Sequence, residues 1–332
     1  MARTLFHRDF VLDTLGLVLL IPFLFIPSVT GNPLANSLSY QIVAGVTAAM
    51  GIYIMLRLGL VSFMVPAFMA IGGYTAAMVA ASGHTNLILL VAVSAVVPAV
   101  VAIPLGALVL RLRGIYFIFV TFICNEILQI LLFEMPGITG GANGIPGVPP
   151  ASLLGLNLGT PAMLVVVSAG ICVVATIATL AVTHRFRPEF SSIEENETLV
   201  ASLGVAAWKY RTIGFVASAA VSGLAGFLAV NMLATAHPSM FQSWSVNNYI
   251  AYVFIGGRAS MLGVVVGSIL LILMADMFSG YAQLSAGMFG LLLIVVMIVA
   301  PGGVVGTVLK RSLAFRGRLG LSSQRVFEKR QG

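Results

Sequence analysis

The sequence predicts an all-α polytopic membrane protein with about ten transmembrane helices, and three observations carry that prediction. Hydrophobic residues make up 59% of the 332 and charged residues only 8%, with a mean hydropathy of +1.07; soluble domains carry roughly 45–50% apolar and about 25% charged residues. Apolar runs long enough to span a bilayer follow one another without the period-two alternation of barrel strands. The cations fall in alternate gaps between those runs. This composition excludes an ordinary soluble enzyme, because 17 Lys/Arg and 10 Asp/Glu cannot cover a water-facing surface of this size.

The runs fall at 14–29, 38–56, 60–82, 87–110, 115–133, 161–183, 212–236, 247–257, 260–278 and 283–300. The first follows Arg3, His7 and Arg8 and so has the flanks of a secretory signal. No A-x-A-like cleavage site follows it and further runs come at once, so it is read as a retained helix. The eighth run is too short to cross about 30 Å as a straight helix; it borrows from its flanks, is broken, or is re-entrant. Parity favours ten crossings with both termini inside. The inner segments are then 1–13, Arg57, 111–114, 184–211, Arg258 and a basic tail at 301–332, and together they hold all 17 Lys/Arg. A re-entrant eighth run would move the tail cations, Lys310 to Arg330, to the outer face, against the positive-inside rule.

The net charge of +7 is explained by the same bias and by attraction to anionic lipid. Cations that border membrane helices without aromatic interleaving do not suggest nucleic acid. Cys124 and Cys172 lie inside apolar runs and the four histidines are scattered, so no disulfide framework or metal site is expected. The chain has no G-x-x-x-x-G-K-[S/T], no H-E-x-x-H and no G-x-S-x-G. No cofactor is expected in this chain, and active transport would need an ion gradient or a separate ATPase.

Within the helices, Gly214, Ser218, Ser222 and Gly226 recur every four residues and place small side chains on one face for close helix packing. Ala259, Gly263 and Gly267 do the same at the start of the ninth run. On the fifth, Thr121, Asn125 and Gln129 fall at i, i+4 and i+8 with Glu126 beside them. A buried acid costs roughly 2.5–3.5 kcal/mol on insertion scales and needs a partner or water. The stripe is therefore either interhelical hydrogen bonding or a substrate path or gate. Asp276, near a helix end, reads as interfacial.

Segment 184–211 is polar and of mixed charge, with a helix expected through Ser192 to Leu203. Ser191 or Ser192 can cap its start, Glu194, Glu195 and Glu197 suit its first turns, and Gly204 can end it. It is either a solvated connector or a handle for a cytosolic partner. The stretch 134–160 contains M-P-G-I-T-G-G-A-N-G-I-P-G-V-P-P, too rich in Gly and Pro for a regular helix, and is either a linker or an external docking loop.

Eight pieces, in order, resemble a known family. They are GLVSFMVPAFMAIGGYTAAM at 59–78, RLRGIYFIFVTFICNEILQ at 111–129, TGGANGIPGVP at 139–149 and IEENETLVASLG at 193–204, followed by FVASAAVSGLAGFLAV at 215–230, PSMFQSW at 238–244, FIGGRASMLGVVVGSIL at 254–270 and APGGVVG at 300–306. They resemble the membrane subunits of bacterial ABC importers for branched-chain amino acids, particularly the M-type permease, over nearly all of Gly59 to Gly306. The resemblance implies the ABC importer permease fold as one transmembrane domain over 1–332 in the bacterial inner membrane. It also implies a second homologous permease subunit, two cytosolic ATPases that bind ATP and Mg, and an extracytoplasmic solute-binding protein.

Segment 184–211 then corresponds to the region that couples to an ATPase. The family commonly reads A-I-R-E-N-E there, followed by small residues and Gly; Glu195, Asn196, Glu197 and Gly204 match, whereas Glu194 stands in place of the usual Arg. That reversal implies a compensating partner or a different contact. Leu199 and Val200 stand where alanines are common. Met64, Val65 and Pro66 replace what is often Gly followed by polar or small residues, and Arg258 replaces an apolar residue. Relatives in the superfamily import urea, short amides or simple sugars, so branched-chain amino acid is a family-level expectation. An ion-coupled secondary transporter using Glu126 is the rival class.

Overall fold

The computed structural model describes residues 2–25, 32–153, 156–278 and scattered positions between 287 and 308; for 2–10, 24 and 156–157 only the backbone is described. The longer helices among these residues are α1 (Ala2–Leu20), α2 (Pro33–Leu56), α3 (Val65–Ala81), α4 (Leu87–Val109), α5 (Ile115–Glu134), α6 (Pro161–Arg185), α7 (Arg187–Ser202), α8 (Ala207–Leu233), α9 (Ser245–Gly256) and α10 (Met261–Phe278). Local chemistry explains several starts. Asn32 accepts a hydrogen bond from the Leu34 N–H ahead of Pro33, Asn86 accepts from Ile88, and Thr160 accepts from Met163 ahead of Pro161.

Among the described residues, six helices, α2, α4, α5, α6, α8 and α10, are long and apolar enough to cross a membrane. The expected count of about ten crossings is not confirmed by the described residues. The run at 60–82 becomes helical only at Val65, where Pro66 suits a first turn, and 17 residues reach only about 25 Å. The first run starts earlier than expected, as α1, and passes at Ile21 into a 3-10 turn containing Pro22, leaving an apolar helical part of only Val11–Phe23. The eighth run forms α9, 12 residues and so about 18 Å. The tenth run, 283–300, and the tail, 301–332, lie largely outside the described residues.

Helix α8 is the centre of the bundle and packs most extensively on α3, α4 and α2. Glycine permits backbone contact there. Pro98 has no N–H, so the Ser94 carbonyl of α4 loses its helical donor, and Gly72 of α3 and Gly223 of α8 close on that oxygen. A Cβ at either glycine would collide with it. Gly226 lies against the Met69 backbone of α3 and Gly214 against the Leu58 side chain. Ser218 donates to the Gly51 carbonyl of α2 at 2.8 Å, Ser222 donates to the Ser218 carbonyl at 2.7 Å, and Tyr40 of α2 donates to the Leu228 carbonyl. At α9 and α10, Gly256, Gly263 and Gly267 bring the two backbones into contact.

The two ends of the bundle differ. One is basic, gathering Arg113, Arg211 and Arg258 around α7. The other is a cap of short strands: β1 (Ile145–Pro146) pairs with β4 (Thr235–Ala236), and β2 (Ser152–Leu153) with β3 (Leu156–Asn157). The cap is tied down by Ser152 N–H to the Thr85 carbonyl at 2.7 Å and Val148 N–H to the Ala234 carbonyl at 2.8 Å.

Candidate functional site

The polar stripe of α5 points inward and holds two irregular stretches of backbone. Thr121 is fully buried; its Oγ1 accepts from the Phe63 N–H at 3.2 Å, in the non-helical segment before α3, and donates to the Ile118 carbonyl at 2.8 Å. Asn125, also fully buried, donates through Nδ2 to Ser243 Oγ. Gln129 donates through Nε2 to the Phe241 carbonyl and, at 3.4 Å, to that of Pro238. Non-helical backbone at membrane depth has no water to bond, so such partners are needed wherever the chain is irregular. The Asn125 Oδ1 is buried without a hydrogen-bond partner.

Glu126, on the neighbouring face, is half-buried. With Gln129, Glu134, Gln242, Ser243 and Trp244 it lines an open cleft of about 430 Å³. A second cleft of about 450 Å³ has Met69, Met232, Met240, Tyr249 and Tyr252 in its walls. The segment 237–244 stands between them, with Met240 on one side and Gln242 to Trp244 on the other. Gln129→Leu, similar in size but unable to donate, is expected to lower stability by about 1–3 kcal/mol by orphaning the Phe241 carbonyl. A melting temperature of the detergent-purified chain measures this; an unchanged value would deny the bond a role.

At the basic end, the helix of segment 184–211 begins at Arg187, earlier than expected, and its capping is not the one the sequence suggests. Ser192 donates back to the Pro188 carbonyl at 2.7 Å. The cap is Asn196, where α7 breaks at φ −160°, ψ 94°; its Oδ1 accepts from the Leu199 N–H at 3.1 Å and from the Thr198 hydroxyl at 3.0 Å. Gly204 follows the helix with φ +85°, a left-handed ending that glycine adopts without strain.

Glu197 accepts from Arg211 at 2.9 Å and pairs with Arg113 at 3.4 Å, while Arg211 also donates to the Leu112 carbonyl at 2.9 Å. These contacts tie α7 to the α4–α5 turn and to α8. Glu195 and Asn196 are exposed, as are Leu199, Leu203 and Trp208. Sequence reading missed Arg113 and Arg211, whose only signal was an excess of cations beside an acidic segment. It also missed Asp13, 5% exposed, which accepts from the Met261 N–H at 2.6 Å and meets His184 at 2.9 Å, joining α1, α6 and the start of α10. Among the described residues, no three His, Cys, Asp or Glu gather as a metal site.

The family described as the branched-chain amino acid transport system permease component matches residues 34–301. The chain belongs to that family. It is 28% identical over 262 residues to the high-affinity branched-chain amino acid transport system permease protein LivM of Salmonella typhimurium, and equally so to that of Escherichia coli. Each match covers 72% of this chain and 62% of the relative, so the chain spans less than two thirds of the length of these curated proteins. No solved structure matches. The chain is thus a member of a permease family, and six of its described helices are long and apolar enough to cross a membrane.

Glu194 and Arg258, two of the positions where the sequence departs from the pattern its resemblance implies, lie 3.1 Å apart as an ion pair. The charge of Glu194 on α7 is therefore matched within the chain.

Proposed function

We propose that the permease is the membrane subunit of an ATP-driven importer of branched-chain amino acids. It pairs with a second homologous permease, receives substrate from an extracytoplasmic binding protein, and is driven by two cytosolic ATPases that bind ATP and Mg. Both termini and segment 184–211 face the cytoplasm. Substrate passes by alternating access: closure of the ATPases moves α7, and the segment 237–244, held by Asn125 and Gln129, gates the path. No covalent chemistry occurs in this chain.

The observation that supports this reading best is α7 itself. It is a charged, broken helix among apolar ones, pinned by Glu194 and Glu197, with Glu195 between these pins and Leu199 and Leu203 after them left exposed. A docking element needs that combination of a fixed base and a free outer face. In proteoliposomes containing the full set of subunits, leucine uptake is expected to require ATP and the binding protein. Uptake driven by a proton gradient without ATP would overturn the importer. Isoleucine and valine are expected to compete, whereas competition by urea, amides or sugars instead would reassign the substrate.

The half-buried Glu126, midway along α5 and open to a cleft, supports ion coupling as the second reading. Under the importer reading, Glu126→Gln keeps ATP-driven uptake at every pH tested. Loss of uptake with a shifted pH profile would favour the ion-coupled transporter.

A further inference from the structure

The methionine-walled cleft and the Glu194–Arg258 pair sit at opposite ends of one rigid unit. Helix α9 supplies Tyr249 and Tyr252 to the cleft, and Arg258 lies just past its end, roughly 9–14 Å away along the axis. Helix α10 supplies Ile272 to the same cleft. The two helices cannot slide freely on each other. Gly256 abuts the Gly263 carbonyl, Gly263 the Gly257 carbonyl and Gly267 the Tyr252 carbonyl, each so closely that a Cβ would collide with backbone. Contacts of that kind move as a block, because close-packed interiors transmit displacement instead of absorbing it.

Glu194 is held on a second side as well. The Gly59 turn, left-handed at φ +70°, lies against its Cα. A displacement of α7 therefore acts on Arg258 from a defined position. The pair is partly exposed, with side-chain exposures of 56% for Arg258 and 28% for Glu194, so its effect on stability is small and its value lies in direction.

The cleft has the size of a small-ligand site, about 450 Å³. Its walls combine three methionines, which repack around apolar shapes of different branching, with two tyrosines and Gln41. That chemistry suits an aliphatic amino-acid side chain, with few polar groups to hold a sugar.

We propose that the α9–α10 hairpin is the moving wall of a cleft that receives the substrate's aliphatic side chain, and that Glu194–Arg258 is the link by which α7 moves it. Arg258 and Glu194 are positioning residues; neither lines the cleft. The proposal rests on the importer reading, and the experiment separates the two.

In proteoliposomes with all subunits, Glu194→Arg and Arg258→Glu are each expected to lower ATP-driven leucine uptake about fivefold or more, the low end of the range for coupling between sites. ATPase activity continues in both. The double exchange, Glu194→Arg with Arg258→Glu, is expected to restore uptake to within about twofold, as a pairwise interaction requires. As a second measurement, Met232→Cys is placed in a chain whose Cys124 and Cys172 are alanine. Its labelling by a thiol reagent is expected to change with nucleotide state, and to stop changing when Arg258→Glu is added. Single exchanges that transport like wild type, a double exchange no better than the worse single, or labelling indifferent to Arg258→Glu would overturn the link. Absence of ATP-driven uptake by the unaltered assembly would instead remove the importer reading beneath it.

Discussion

Gly226→Val is expected to leave almost no folded permease. The Cβ of any residue there would overlap the Met69 carbonyl oxygen, and lie 2.6 Å from its carbon and 2.8 Å from the Met69 Cα. All three are backbone atoms of α3, so no side chain can swing aside. Overpacking a core costs about 1–3 kcal/mol when side chains can adjust. Here two central helices must separate, which also withdraws Gly72 and Gly223 from the Ser94 carbonyl, so the cost exceeds that range. Membrane abundance and the melting temperature of purified protein measure it. Gly170→Val is the control: a Cβ there meets nothing within 4 Å, and wild-type abundance is expected. Equal behaviour of the two variants would refute the close α3–α8 contact.

Glu197→Lys is expected to abolish ATP-dependent uptake and to destabilise the basic end. Arg211 is only 3% exposed, and Glu197 is the carboxylate set against it, with Arg113 on its other oxygen. A lysine places a third cation among them. Removing one partner of a buried pair costs roughly 3–5 kcal/mol; Glu197 is partly solvated, so the lower end applies. Glu197→Gln keeps an acceptor for Arg211 and is expected to lose less, about 1–2 kcal/mol, in line with a weakened charged hydrogen bond. Thermal unfolding ranks the three, and limited proteolysis at 197–206 is expected to accelerate in the same order. A Glu197→Lys chain that melts and transports like wild type would free this residue from both roles.

The difference between α5 and α7 shows what was legible before the structure. The spacing of Thr121, Asn125 and Gln129 put them on one face, because helical periodicity is local. What that face holds was not legible: Phe241 and Ser243 lie more than a hundred positions along the chain. On α7 the acidic residues and the Gly204 ending were readable, yet the break at Asn196 was not, since an exposed Asn in a polar helix carries no pattern that distinguishes a cap from a surface residue. The shortness of the eighth run was plain, whereas the late start of α3 was not, because residues 60–64 are as apolar as the helix they precede.

Glu194 and Arg258 stood out singly as departures from the family, and their pairing was invisible until the fold brought α7 beside the α9–α10 turn.

By itself, the sequence determined that the chain lives in lipid, that it is helical, and which family it joins. Lipid imposes those features locally, demanding apolar runs and backbone bonds closed within each helix. The tertiary structure alone decided which charge meets which, where glycines let backbones touch, and where the helix after residues 60–64 begins. Those outcomes depend on distances between segments remote in the chain, and remote distances are set by packing the whole bundle at once.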